Sequence, residues 1–465
     1  MAAVGSAVGL GNIWGFSYKM GMSGGFGFLI IYVLLATFIG IAVMLGEFAI
    51  GRKTGQSPVG AYKALAKKFA WVGYLSVIAG FTILCFYLVL GGIVTRYCVG
   101  YFTALFGWDT WGASAADFYG IFRVDGMTMT IYFLIFSVIN AFVVVAGVGE
   151  GIEKFCKVGM PALFIMLVII VIYVAVQPGA GEGYKYMFAW NLEPLKADFF
   201  KVLKLAAGQM FFSLSLGMGV MITYGSYLDK KQDLQKNAVI VTICDTSVAL
   251  LAGMIILPAT AAFNNGQYAG GPGLLFNSMQ IVFDNMGGFI GNLMGFLFYF
   301  LVFIAALSSS ISILEGLTAY HVDKNIAEGK APGRKKIATI LSIAIFILGL
   351  TVALDGIGMG TANGAAFPTP AELLGVQPDA NGAIPVWSDC WLDFFDMISE
   401  GILMPLGALI MCILIGYVWK VDLVVNECEV CGKKFWGHAF FTLCYKFITP
   451  IGMLFVLYAQ ISDFF

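Results

Sequence analysis

Eleven runs of mostly apolar residues dominate this chain, each near the length of about 20 residues that a helix needs to cross a hydrocarbon core. They fall near 1–20, 25–50, 71–106, 128–147, 158–177, 201–228, 238–263, 290–321, 337–354, 393–419 and 443–462. Lipid offers no partner to backbone N–H and C=O groups, so runs this long span as helices. No polar stretch long enough for a soluble domain is left over. The expected fold class is an all-α polytopic membrane protein, with one transmembrane domain over 1–465. Composition agrees: 60% of residues are hydrophobic and 11% charged, against roughly 25% charged in soluble domains. A net charge of −1 gives no case for a nucleic-acid partner. The two histidines, His321 and His438, leave little scope for histidine-based catalysis. The run Gly356, Gly358, Gly360 has no strand–helix unit around it that would make a nucleotide loop. An enzyme is not expected.

Orientation follows from Lys and Arg. Arg52, Lys53, Lys67 and Lys68 follow the second run, and Arg334, Lys335 and Lys336 follow the eighth. The connections after the seventh and ninth runs hold no basic residue, although they contain Asp284, Asp355, Glu372, Asp379 and Asp389. Even-numbered helices are therefore expected to end in the cytoplasm of a cell (inner) membrane, with the C-terminus outside. Cysteines are scattered through the apolar runs as small hydrophobes. The exception is Cys428-Glu-Val-Cys431, with His438 and Cys444 nearby, whose spacing is poor for a four-ligand zinc site and reads as an ordinary reduced loop.

Two apolar runs are interrupted by small and polar residues: Gly5-Ser-Ala-Val-Gly-Leu-Gly-Asn12 in the first and Ser213-Leu-Ser-Leu-Gly-Met-Gly219 in the sixth. These positions correspond if the chain is two five-helix repeats, about 1–177 and 201–419, plus an extra helix near 443–462. An odd number of spans per repeat makes the repeats inverted. Interrupted segments at matching places of inverted halves point to a midplane binding site, with half-helix N-termini for an anionic group and freed carbonyls for cations. Close packing through small residues, as at Gly11 and Gly15, explains either segment alone; the pairing of the two favours the site.

The residues resemble a known family. Gly-Ser-Ala-Val-Gly-Leu-Gly-Asn-Ile-Trp from Gly5, Gly-Gln-Met-Phe-Phe-Ser-Leu-Ser-Leu-Gly-Met-Gly from Gly208, and Ala-Ala-Leu-Ser-Ser-Ser from Ala305 are similar to motifs of the neurotransmitter:sodium symporter family. Glu47-Phe-Ala-Ile-Gly-Arg52 and Gly151-Ile-Glu-Lys154 look like its cytoplasmic loop signatures. The resemblance runs the length of the chain. It implies the leucine-transporter-like fold in the prokaryotic eleven-helix branch, and two sodium ions. One ion (Na2) would sit on the carbonyls of Gly5, Val8 and Ala305 with the hydroxyls of Ser308 and Ser309. The other (Na1) would use Ala7, Asn12, Ser213 and Asp245, completed by the carboxylate of the substrate. The family commonly has Asn at Asp245 and takes chloride; here Asp245 supplies the negative charge, Ala249 one turn on does not, and Tyr32, Gln209 and Ser213 remain from the chloride site. No chloride requirement is expected.

For the substrate, the resemblance implies the N–H groups of Leu10 and Gly11 and the hydroxyl of Tyr87 for a carboxylate, with helix 6 carbonyls around Phe212 and Ser215 for an ammonium. Amine-carrying relatives place Asp where this chain has Gly9, so an amino acid fits better. Ile83, Phe212, Ser215, Met218, Ser309 and Ile313 would meet its side chain, which favours a neutral, hydrophobic or aromatic amino acid. The expected activity is sodium-coupled symport by alternating access. The alternative is a non-transporting amino-acid sensor or defective paralogue, because gate residues depart from the family. The outer Arg is replaced by Gly15 in Trp14-Gly-Phe-Ser17, its usual partner survives as Asp396, and Lys19 or Arg96 is expected to pair with Asp396 instead. Asp393, Asp396 and Glu400 share one face by helical spacing. At the inner end Tyr227, Ser226 and Asp323 match the family while their basic partner is missing. Only four residues precede Gly5, about 6 Å of helix, so Met1 reads as an internal methionine with the natural start upstream. Pro161 is expected to unwind the start of the fifth helix locally or to open it.

Overall fold

The structure, a computed structural model, describes residues 2–108, 110–114, 117–147, 150–263, 273–378 and 384–461, with the side chains of 2–4 and 150–156 outside that description. The Gly151–Lys154 signature and Asp379 therefore fall on positions whose side chains lie outside the described residues. Helix is the regular structure throughout the described residues.

In chain order, α1 is in two pieces: α1a, Ala2–Ala7, and α1b, Phe16–Met22, the latter preceded by a π turn at Gly11–Gly15. Then come α2 (Phe26–Thr54), α3 (Lys67–Ala104), α4 (Gly126–Ala146) and α5 (Glu150–Ala175). The next, α6, is again in two pieces, α6a (Phe199–Ser213) and α6b (Val220–Tyr227). The last five are α7 (Leu234–Phe263), α8 (Gly288–Ala327), α9 (Arg334–Leu354), α10 (Trp391–Val418) and α11 (His438–Ile461). Among the described residues, nine helices are long and apolar enough to cross a membrane, and α1 and α6 are the two outside that set. The interruptions foreseen at Gly5–Asn12 and Ser213–Gly219 are the reason: no piece of either helix is long enough alone. The chain is an all-α polytopic membrane protein. Pro161 lies inside α5, whose helix continues past it from Glu150 to Ala175. The local unwinding expected there does not occur, because packing of α5 on α7 and α8 holds the turn despite one missing donor.

Each break has a local cause. In α6, Ser215, Gly217 and Gly219 have φ of 54°, 76° and 77°, a left-handed run that helix cannot continue and that glycine adopts without strain. A Cβ on Gly217 would also lie 2.8 Å from the backbone of Met404 in α10. The break leaves the N–H of Gly217 without a helical partner, and it donates to Glu47 Oε1 of α2 at 2.7 Å. A buried carboxylate thus satisfies an orphan backbone donor where lipid and protein offer no water. In α1, the N–H of Gly9 donates to Asn12 Oδ1 at 2.8 Å, a side-chain bond standing where the helical ladder stops.

Small residues then set which helices pack backbone against backbone. A Cβ on Gly51 would stand 1.9 Å from the carbonyl oxygen of Ile222, and one on Gly225 would stand 2.6 Å from that of Phe48. Backbones of α2 and α6b are therefore in direct contact, the small-residue packing that replaces hydrophobic drive inside a membrane. Against that unit stands α8, 40 residues long, packed along α3. At the end rich in Lys and Arg, Arg52 Nε donates to Glu427 Oε1 at 2.8 Å and its Nη1 to the Gln232 carbonyl at 2.7 Å. That ties α2 to the short helix Asp422–Glu429 and to the α6–α7 connection.

Candidate functional site

Three oxygens converge at the junction of the α1 break, the end of α6a and the middle of α7. Asn12 Nδ2 lies 2.8 Å from Ser213 Oγ, 3.0 Å from the Asp245 carbonyl and 2.6 Å from Asp245 Oδ1. Ser213 Oγ donates to the Asp245 carboxylate at 2.9 Å, and Tyr32 Oη donates to Oδ2 at 3.3 Å. Asp245, Asn12 and Ser213 are all buried. A carboxylate this deep in a membrane costs about 2.5–3.5 kcal/mol on insertion scales, so it needs compensating charge or donors. The arrangement suits a hard monovalent cation held by oxygens. Ala7 is buried beside it and lines the neighbouring cavity. Gln209 turns elsewhere: its Nε2 donates to the Gly11 carbonyl at 2.8 Å.

The second oxygen cluster lies between α1a and α8. Ser308 Oγ is 2.7 Å from the Gly5 carbonyl and 2.9 Å from that of Ala305. Ser309 Oγ is 3.1 Å from the Ala305 carbonyl and 3.4 Å from that of Val8. All five oxygens named from the sequence are thus brought together, and all are neutral. Ser308 and Ser309 are neighbours on α8, and their hydroxyls reach two different carbonyls of α1, those of Gly5 and Val8.

A small cavity of about 10 Å³ lies between the two clusters, lined by Gly11, Tyr87, Phe212, Ser215, Met218, Ser309 and Ile313, with Ser6, Ala7, Gly9 and Ser213. Its volume is that of about one water, so an amino acid enters only if the lining opens. The ring of Phe212 is the closing element, since a Cβ on Gly11 would meet it at 2.7 Å. A Cβ on Gly9 would lie 2.6 Å from Ser309 Oγ and 2.7 Å from Tyr87 Oη, so no larger residue fits there. The N–H of Leu10 donates to Tyr87 Oη at 3.2 Å. One of the residues expected at the substrate is placed differently: Ile83 is fully buried in the core without lining the cavity. Ser6 is an addition: its carbonyl accepts from Ser309 Oγ at 3.0 Å and from Ser215 Oγ at 3.3 Å. Its place inside the first motif was the available signal.

Sequence comparison agrees with this geometry. The profile described as the Sodium:neurotransmitter symporter family matches residues 1–121 and 119–361. The chain belongs to that family. Its members are sodium-coupled transporters rather than enzymes, so this is a sodium-dependent integral membrane protein. The chain is 32% identical to the uncharacterized sodium-dependent transporter YhdH of Bacillus subtilis, over 98% of this chain and 94% of the relative. It is 31% identical to an uncharacterized sodium-dependent transporter of Haemophilus influenzae, over 100% and 96% of the two chains. Among solved structures it is similar to MhsT in complex with L-phenylalanine, with 34% identity, a TM-score of 0.84, and coverage of 99% of this chain and 97% of that one.

Both ends of the site in this family member carry ion pairs, one of which the sequence reading assigned differently and one of which it missed. At the acidic end, Lys19 Nζ pairs with Glu400 Oε2 at 2.6 Å, with 6% and 5% of their side chains exposed. Asp396, the expected partner, lies beside Glu400 instead of on the lysine's nitrogen. Arg96 is not at Asp396 either: its guanidinium donates to the Thr110 carbonyl at 2.5 Å and stacks over Phe118 at 4.8 Å. Beyond this pair lies an open vestibule of about 1660 Å³, bounded by Tyr18, Lys19, Arg123, Asp389, Asp393 and Asp396 among others. Just past the end of α9, Asp355 is buried and accepts from the N–H groups of Ile357 and Trp391 at 2.8 and 2.7 Å. Burial outweighs those bonds and pushes its carboxyl up to about 7.

At the basic end, Tyr227 Oη donates to Glu315 Oε1 at 3.3 Å, and both Nη atoms of Arg334 bond the Glu315 carboxylate. Asp323 accepts from the Ser57 N–H at 2.8 Å, at the start of the short helix Pro58–Leu65. Tyr227 and Asp323 thus stand at one end of the bundle but bond different partners. Ser226 Oγ bonds back to the Thr223 carbonyl. Glu315 and Arg334 were missed because no sequence motif joins them; an acid in the middle of an apolar helix was the signal.

Proposed function

We propose that this protein is a symporter that uses sodium to take up a neutral, hydrophobic or aromatic amino acid by alternating access, without chloride. The observation that carries the reading is the placement of Asp245, Asn12 and Ser213 beside a cavity rimmed by Tyr87, Phe212, Met218 and Ile313. The substrate's carboxylate would complete the first sodium site, coupling ion to substrate through one shared charge. The second sodium would rest on Gly5, Val8, Ala305, Ser308 and Ser309. MhsT was solved with L-phenylalanine, and the mostly apolar lining here suits a similar ligand. Gly9, held small by Ser309 and Tyr87, leaves no room for the acid that an amine substrate would need. The two inverted halves, about 1–177 and 201–419, would rock about this site, in a cell membrane with the basic end cytoplasmic and the C-terminus outside.

Each sodium entering at 100 mV gains about 2.3 kcal/mol, and a tenfold gradient adds about 1.4. Two ions would supply roughly 7 kcal/mol for uptake.

Thermal stability of the purified protein, with each of the twenty amino acids in sodium chloride, sodium gluconate and choline chloride, tests the binding half of the proposal. Stabilisation by large apolar amino acids in both sodium salts and none in choline is expected. Stabilisation that requires chloride would overturn chloride independence. A response to no amino acid in sodium would overturn the substrate class. Binding with no flux would favour the sensor reading.

A further inference from the structure

One face of α8 carries Ala305, Ser308, Ser312 and Glu315, separated by three or four residues and therefore stacked along a single stripe. The upper part of that stripe touches α1a, where Ser308 Oγ lies 2.7 Å from the Gly5 carbonyl. The lower part touches α6b. Tyr224 Oη and Ser312 Oγ are 2.6 Å apart, and Tyr227 Oη donates to Glu315 at 3.3 Å. Tyr224 and Tyr227 are themselves three residues apart on α6b, so the two helices meet as two rungs in register.

Hydrogen counting fixes the direction of the upper rung. Ser312 has one hydroxyl proton, and its Oγ lies 2.7 Å from the carbonyl of Ser308, to which it donates. Tyr224 must then be the donor to Ser312. The chain runs Tyr224 Oη–H to Ser312 Oγ–H to Ser308 C=O, ending on the residue whose side-chain oxygen belongs to the second cluster. Hydrogen bonds in series in a dry interior polarise one another, so the strength of each depends on the next. Ser308, Ser312 and Glu315 are all at least nine-tenths buried.

We infer that Ser312 and Tyr224 are positioning residues that link sodium on the Ser308 cluster to the docking of α6b on α8. This rests on the sodium site proposed above. An ion there fixes α1a and the backbone of Ser308 together. The same residue then offers a fixed acceptor to Ser312, which holds Tyr224 and with it α6b. Since α6b is packed backbone against backbone on α2 at Gly51 and Gly225, the unit held is α2 with α6b, not a lone half-helix. One stripe of one continuous helix therefore grips both broken helices, and release at either rung loosens the other.

The coupling is reciprocal, so weakening the rung weakens sodium binding. With L-phenylalanine at saturation in gluconate, the sodium concentration giving half-maximal stabilisation should rise about fivefold in Ser312→Ala and in Tyr224→Phe, the effect of one net hydrogen bond. The double variant should rise no further than either single one, because both remove the same link. Ser312→Thr keeps the hydroxyl and should restore the wild-type midpoint. Hydrogen exchange supplies a second readout: sodium should slow exchange over 220–227 in wild type and Ser312→Thr but not in Ser312→Ala. An unchanged sodium midpoint in Ser312→Ala, or additive shifts in the double variant, would overturn the link. Wild-type protein indifferent to sodium and amino acids would instead refute the transport reading beneath it.

Discussion

Asp245→Asn should lower sodium-driven amino-acid uptake about 30- to 100-fold in chloride-free medium, and millimolar chloride should recover most of the loss. The carboxylate lies within 2.6–3.3 Å of Asn12, Ser213 and Tyr32. Replacing it by a neutral amide removes the one fixed negative charge facing the proposed cation, and interactions of charged hydrogen-bonding groups are worth about 1.5–3 kcal/mol. The hydroxyls of Tyr32 and Ser213, which now donate to the carboxylate, would then face a site without an acceptor charge. A chloride ion placed among those donors supplies the lost charge at nearly the same point. Ala249, one turn along α7, offers no substitute. Uptake by Asp245→Asn that stays at wild-type level without chloride would show that the carboxylate carries no ionic role. Loss that chloride does not restore would separate ion binding by Asp245 from the anion argument and retain only the former.

Lys19→Met should destabilise the protein by about 3–5 kcal/mol, the cost of leaving one member of a buried ion pair uncompensated. With both side chains about nineteen-twentieths buried, Glu400 keeps its desolvation penalty and loses the cation 2.6 Å away. The double variant Lys19→Met/Glu400→Leu removes both charges together and should regain most of the stability. Function should separate the two. Because the pair joins α1b to α10 between the vestibule and Phe212, the double variant should fold yet release bound substrate toward the acidic end several times faster. Thermal unfolding checks the first statement, and ligand dissociation kinetics the second. Equal melting of the single and double variants would contradict the buried-pair account.

The spans were legible because lipid permits a single solution for a long apolar run. The two breaks were legible because Gly5–Asn12 and Ser213–Gly219 concentrate glycines and polar side chains within eight and seven residues, in the first and sixth runs, which correspond if the chain is two five-helix repeats. The two oxygen clusters were legible through the resemblance of the motifs to the family, since Asn12, Ser213 and Asp245, like Gly5 and Ser308, lie on different helices that no local pattern brings together. Partners outside those motifs were another matter. Asp393, Asp396 and Glu400 were placed on one face by assuming 3.6 residues per turn, but a π turn runs from Met397 to Leu403. It adds a residue to that turn and changes which acid faces Lys19. The pairing of Glu315 with Arg334 joins α8 to α9 across a connection whose path no local pattern dictates. Ile83 belonged to an apolar helix face, and whether such a residue borders a cavity or the core depends on how Phe212 packs, which the sequence does not state. Glu47 appeared only as part of a loop signature; its bond to the Gly217 N–H depends on how closely α2 and α6 approach.

Uptake into proteoliposomes addresses the central claim most directly. Purified protein would be reconstituted, an inward sodium gradient imposed in gluconate medium, and radiolabelled L-phenylalanine followed with and without a potassium-valinomycin potential. Accumulation above equilibrium that needs the sodium gradient, grows with an inside-negative potential and persists without chloride is the predicted result. Equilibration at the same rate with and without sodium, or binding without any uptake, would contradict it.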